Sequence, residues 1–67
     1  MVMVRVHMLA GRSREQKAEL IARVTAAVAE TLSVPPGDVR VLLLEIPPDA
    51  WGIAGQPARV VRGTGAG

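Results

Sequence analysis

Polar and apolar side chains alternate from Met1 to Leu9, with Val2, Val4, Val6 and Met8 on one face and Met3, Arg5, His7 and Leu9 on the other. A period of two predicts a β-strand, here with one fully apolar face. Ala10-Gly11-Arg12 breaks the pattern, and Ser13 followed three residues later by Gln16 has the form of a capping box that opens a helix. At 100° per residue, Leu20, Ile21, Val24, Ala27, Val28, Thr31 and Leu32 fall inside an arc of about 140°. Glu15, Glu19, Ala26, Ala29 and Glu30 lie opposite, and Glu19 and Arg23 have the favourable i,i+4 spacing. The spacing predicts a helix over residues 14–32 that lays one stripe on an apolar surface. Ser33-Val34-Pro35-Pro36-Gly37-Asp38 stops it, because two prolines cannot continue a helix and Gly37 supplies a turn.

Residues 39–46, Val-Arg-Val-Leu-Leu-Leu-Glu-Ile, are β-branched at the start and apolar on both parities, as in a strand covered on both faces. Strand, long helix and strand make a βαβ unit, so the two strands are expected to be parallel with a right-handed crossover. The glycines of Asp49-Ala50-Trp51-Gly52-Ile53-Ala54-Gly55-Gln56 suggest a short hairpin or loop reaching away from the core. Residues 59–62 could add a few ordered positions, and 63–67 read as a frayed, flexible tail behind a single domain at 1–62. The expected class is α+β. One helix covers only one face of a two-stranded sheet, and an isolated strand pair is unstable. A second copy of the chain can supply both missing contacts.

Composition strengthens that expectation. The chain has 67 residues, no cysteine, and 49% apolar residues, with a mean hydropathy of +0.30. A chain this short buries only about 60% of its unfolded surface, and without disulfides or a thiolate metal site the remaining remedy is oligomerisation. No run approaches the length of a membrane span and no charged region precedes a hydrophobic core, so a cytoplasmic protein is expected. Lysine and arginine total 8 against 6 acidic residues. With Trp51 as the one aromatic and no basic run, nucleic-acid binding has little to stand on.

Familiar catalytic motifs are absent: there is no HExxH, no Gly-x-Ser-x-Gly, no phosphate loop and no Cys/His cluster. His7 is read as a packed or interface histidine rather than a general base. Asp38 and Glu45 lack paired-carboxylate spacing, and are read as a loop residue and a strand residue facing an interface or water. The arginines carry more. Arg12 closes the first β-to-α loop beside a helix start, where backbone N–H groups favour an anion. Arg40 opens the second strand and Arg62 follows the last segment, and arginine grips carboxylates with a planar fork.

Taken in order, residues 6–17 (Val-His-Met-Leu-Ala-Gly-Arg-Ser-Arg-Glu-Gln-Lys), then Val39-Arg40-Val41, then Trp51-Gly52-Ile53-Ala54-Gly55 resemble 4-oxalocrotonate tautomerase and its small-subunit relatives. The resemblance spans about residues 2 to 62. It implies four-stranded-sheet dimers assembled into a hexamer, and an isomerase that needs no cofactor or metal. The chemistry it implies is proton movement in small unsaturated 2-hydroxy or 2-oxo acids, with an amino-terminal proline as base. By position, Arg40 resembles the arginine at the 2-hydroxy or 2-oxo carboxylate end and Arg12 the one holding the distal carboxylate. Trp51 stands where the family usually has phenylalanine, Leu9 resembles a residue near the pocket, and Arg62 matches a weaker accessory arginine.

The departure is at the catalytic position, where Val2 replaces the proline. With Met1 retained, the Val2 nitrogen is an amide and no base. Three outcomes stay open. Methionine is removed and the primary amine of Val2 serves, its ordinary pKa of about 7.7 to 8.0 lowered by burial near Arg12 and Arg40. Alternatively, the amine of Met1 reaches into the pocket. In the third, the chain is non-catalytic, either the partner of a proline-bearing paralogue in a mixed hexamer or a small-acid-binding protein.

Overall fold

A computed structural model describes residues 1–58. It contains strand β1 (Val2–Leu9), helix α1 (Arg14–Leu32), strand β2 (Val39–Ile46) and a small hairpin of β3 (Gly52–Ile53) and β4 (Gln56–Pro57). Short 3₁₀ turns at Pro36–Asp38 and Pro48–Ala50 precede β2 and the hairpin. The capping box forms: Ser13 Oγ accepts from Gln16 N at 3.1 Å, and Ser13 N donates to Gln16 Oε1 at 3.0 Å. Helix α1 ends on Ser33, whose left-handed φ of 57° breaks the helical path.

β1 and β2 pair in parallel, with Val2 opposite Val39 and Leu9 opposite Ile46. Register partners share a face, which sorts the sheet into two chemically different sides. Val2, Val4, Val6 and Met8 alternate as half-buried positions on the side that α1 covers. Met3, Arg5, His7 and Leu9 share the other side with Arg40, Leu42, Leu44 and Ile46. No helix lies on that second side among the described residues.

One reading needs correction and another gains a partner. Ala29, assigned to the polar side of the helix, is the one buried residue of α1, while Ile21, Ala27, Thr31 and Leu32 of the expected stripe are exposed. A strand pair is too narrow to cover an arc of that width, and a small side chain lets the helix approach closely. Glu45 is exposed, as read, and lies on the α1 side of β2, where its Oε1 accepts from Lys17 Nζ at 2.9 Å and ties the start of the helix to the far end of β2.

Among the described residues only Ala29, Val39 and Ala58 are buried, and no large side chain is fully enclosed. Met3, Ile21, Leu32 and Leu42 stay exposed. A protomer with so little interior has its apolar surface placed for contact with other chains. Among the described residues no helix is long and apolar enough to cross a membrane.

Candidate active site

The parallel register decides which candidate residues meet. Val2 faces Val39 across the ladder, and Met3 faces Arg40, so the amino-terminal segment and Arg40 share the opening edge of the sheet. Arg40 is held there by backbone carbonyls. Its Nη1 donates to Gly37 O at 2.6 Å and to Val39 O at 3.4 Å. Gly37 belongs to the Pro36–Asp38 turn, where Asp38 N donates to Pro35 O at 2.9 Å. The two prolines fix φ and stiffen this turn, so the carbonyl that orients Arg40 is itself restrained. Nε and the second Nη remain as a two-donor edge suited to a carboxylate.

Arg12 lies at the other end. β1 runs from Val2 to Leu9, and the ladder continues through Ala10 N donating to Ile46 O at 3.0 Å. At ~3.3 Å per residue the two ends of β1 are about 23 Å apart, beyond what one small acid can bridge. Between Ala10 and Arg12 the chain turns at Gly11, whose φ of 129° belongs to glycine. Arg12 is exposed, and among the described residues it makes no hydrogen bond or ion pair.

Leu9 sits at the Arg12 end, half-buried on the helix-free side. β2 delivers the chain to that same end, where the Pro48–Ala50 turn leads to half-buried Trp51. Trp51 O accepts from Ala58 N at 2.7 Å, which closes the base of the β3–β4 hairpin. His7 is exposed on the helix-free side. Arg62, the segment 59–62 and the tail at 63–67 lie outside the described residues. Among the described residues no group of three or more His, Cys, Asp or Glu side chains is placed to hold a metal ion.

One protomer therefore places Val2 and Arg40 at the same end of the β1–β2 ladder, with their side chains on opposite faces, and keeps Arg12, Leu9 and the start of the hairpin at the other end. The Gly37 carbonyl and the Lys17–Glu45 pair escaped the sequence reading, the first because a backbone acceptor leaves no trace in residue type.

The family model for the tautomerase enzymes matches residues 3–60. The chain belongs to the tautomerase family. A 2-hydroxymuconate tautomerase of Comamonas testosteroni is 42% identical over 59 residues, covering 88% of this chain and 94% of that protein. The heterohexameric 4-oxalocrotonate tautomerase of Chloroflexus aurantiacus superimposes with a TM-score of 0.86 at 42% identity, covering 92% of this chain and all of the other. TomN, a 4-oxalocrotonate tautomerase homologue of tomaymycin biosynthesis, gives 0.87 at 38% identity over 96% and 98% of the two chains. The tautomerase fold thus accounts for nearly the whole length, and it is the βαβ arrangement with a carboxy-terminal hairpin expected from the residues. The match begins at residue 3, one position beyond Val2.

Proposed function

We propose that this tautomerase-family chain isomerises small unsaturated 2-hydroxy or 2-oxo acids in arginine-lined pockets between subunits of a hexamer of about 42 kDa. The observation that carries the proposal is the split site: Val2 and Arg40 at one end of the β1–β2 ladder, Arg12 beyond the other end. A pocket holding all three groups takes Arg12 from a different copy than the one giving Val2 and Arg40, or all three from different copies. The exposed apolar surface supplies the contacts for that assembly.

In this reading Arg40 receives the carboxylate at the 2-oxygen end through its free donor edge, and Arg12 of another subunit holds the distal carboxylate. Arg12 also draws electron density along the conjugated chain. The uncharged amino group at the amino terminus, Val2 after methionine removal or Met1 otherwise, accepts the proton from the 2-hydroxyl. It returns a proton to a carbon of the conjugated chain, so a C–H bond replaces an O–H bond and no electrons are gained or lost. Leu9 and Trp51 wall the pocket and exclude water from the reacting groups, and Arg62 is the accessory arginine that the family resemblance implies.

A second reading is favoured by Val2 itself, which stands in place of a proline, and by likeness to the Chloroflexus aurantiacus heterohexamer. Here the chain contributes its arginines to a mixed assembly in which a proline-bearing subunit supplies the base.

Intact-mass analysis of the amino terminus, paired with an ultraviolet enol-to-ketone assay on wild type and Val2→Pro, separates the two. The isomerase reading expects turnover above the buffer rate by the wild-type chain alone. A fully retained methionine, no turnover by wild type and turnover by processed Val2→Pro would overturn it in favour of the mixed assembly.

A further inference from the structure

Trp51 is the one aromatic residue of the chain, and its indole carries a donor that the reaction described above does not use. The side chain is half-buried. Among the described residues its Nε1 makes no hydrogen bond, yet it is not enclosed either, so the N–H opens to the surface. An indole that packs its apolar rings and presents its N–H outward is suited to an acceptor arriving from outside the protomer.

The backbone here is restrained on both sides. Ala50 N donates to Pro47 O at 2.9 Å in the preceding turn, and Trp51 O accepts from Ala58 N at 2.7 Å, with Ala58 fully buried. Pro47 and Pro48 fix two φ angles just ahead of it. A ring carried on so restrained a segment loses little further freedom when it meets a ligand.

The surroundings favour an anionic acceptor. The bond from Ala10 N to Ile46 O closes the β1–β2 ladder at this end, with Arg12 two residues beyond Ala10 and Trp51 five beyond Ile46. Of the acidic side chains close in sequence, Glu45 is held by Lys17 and Asp49 has a contact of its own. Neither takes the Arg12 guanidinium or the indole N–H.

We propose that Trp51 is a specificity-determining residue whose Nε1–H is a second donor to the distal carboxylate that Arg12 holds. The inference rests on the arginine-pocket reading above and gives a polar task to a residue that otherwise serves as a wall. A carboxylate has lone pairs for a guanidinium and an indole N–H together. A ligand that ends in a methyl group leaves the indole donor unpaired where water is excluded, and that penalty discriminates against it.

The single tryptophan gives a single indole signal in a proton–nitrogen correlation spectrum. On the wild-type protein, 2-oxoadipate is expected to move the Nε1 proton downfield. The equally long 2-oxohexanoate, which lacks the distal carboxylate, is expected to leave it near its free position. A chain of 67 residues is within reach of total synthesis, so 3-benzothienylalanine in place of Trp51 can exchange the N–H for sulfur and keep the bicycle. Calorimetry is expected to show about tenfold weaker binding of 2-oxoadipate to that chain, with 2-oxohexanoate binding unchanged. If the synthetic chain does not assemble, the indole signal of the wild type decides. Equal losses for both acids, or an indole signal unmoved at saturating 2-oxoadipate, would overturn the proposal. Arg12→Ala, titrated in parallel, separates the two readings. Affinity for 2-oxoadipate lost in Arg12→Ala but kept in the benzothienyl chain leaves the arginine pocket standing and removes the indole donor, whereas wild-type affinity in Arg12→Ala removes both.

Discussion

Replacing Arg40 tests the geometry of substrate capture. Nη1 is engaged by the carbonyls of Gly37 and Val39, which leaves Nε and the other Nη for a carboxylate. Each charge-assisted hydrogen bond contributes about 1.5–3 kcal/mol, and because Arg40 is exposed in the protomer the lower end applies. Arg40→Lys keeps the charge but offers one point donor in place of the fork, so it is expected to lose about 1.5 kcal/mol, or roughly tenfold in affinity. Arg40→Ala loses both contacts, about 3 kcal/mol or a hundredfold and more. Titration calorimetry with 2-oxoadipate, a saturated 2-oxo dicarboxylate, measures both variants against wild type. Equal affinity for wild type and Arg40→Ala would refute the assignment. Equal loss in Lys and Ala variants would instead refute the two-donor edge.

Glu45→Gln removes the charge that Lys17 meets at 2.9 Å with both side chains about one-third exposed. It is expected to cost about 0.5 kcal/mol in urea denaturation, a loss that shrinks in 1 M salt. A salt-independent loss would point to packing instead. Ala54 and Gly55 both have positive φ, 52° and 84°, as a tight hairpin of this hand requires, and only Ala54 carries a Cβ there. Ala54→Gly is therefore expected to raise stability by about 1 kcal/mol in the same assay, and a decrease would contradict that reading of the turn.

The main elements are legible from a clean alternation in β1, capped boundaries in α1 and a β-branched apolar run between proline turns in β2. β1 alternates strictly, α1 begins at a capping box and ends before two prolines, and β2 is bounded by Pro36-Gly37-Asp38 and Pro47-Pro48. The alternation of β1 also identified which residues the helix covers. β2 is apolar on both parities, so nothing in its residues marks the side facing α1, and the Lys17–Glu45 pair emerges only once the register sets Glu45 beside Met8. Ala29 was misplaced for a related reason: the helical wheel ranks residues by apolarity, whereas closest approach of a helix to a narrow sheet is governed by side-chain size. The separation of Arg12 from Arg40 follows from parallel strands, one residue lying after β1 and the other opening β2. The tether on Arg40 was hidden because its acceptors are backbone carbonyls.

The claim that the pocket draws Arg12 and Arg40 from different chains has a direct test. Arg12→Ala and Arg40→Ala chains, co-expressed with different tags and isolated as mixed oligomers, are titrated with 2-oxoadipate. Random mixing of subunits pairs an intact Arg12 from one chain with an intact Arg40 from another in about one pocket in four. The account predicts that this fraction of wild-type-affinity sites reappears although neither variant alone has any. Mixed oligomers with no restored sites would contradict it, and would place both arginines of a pocket on one chain.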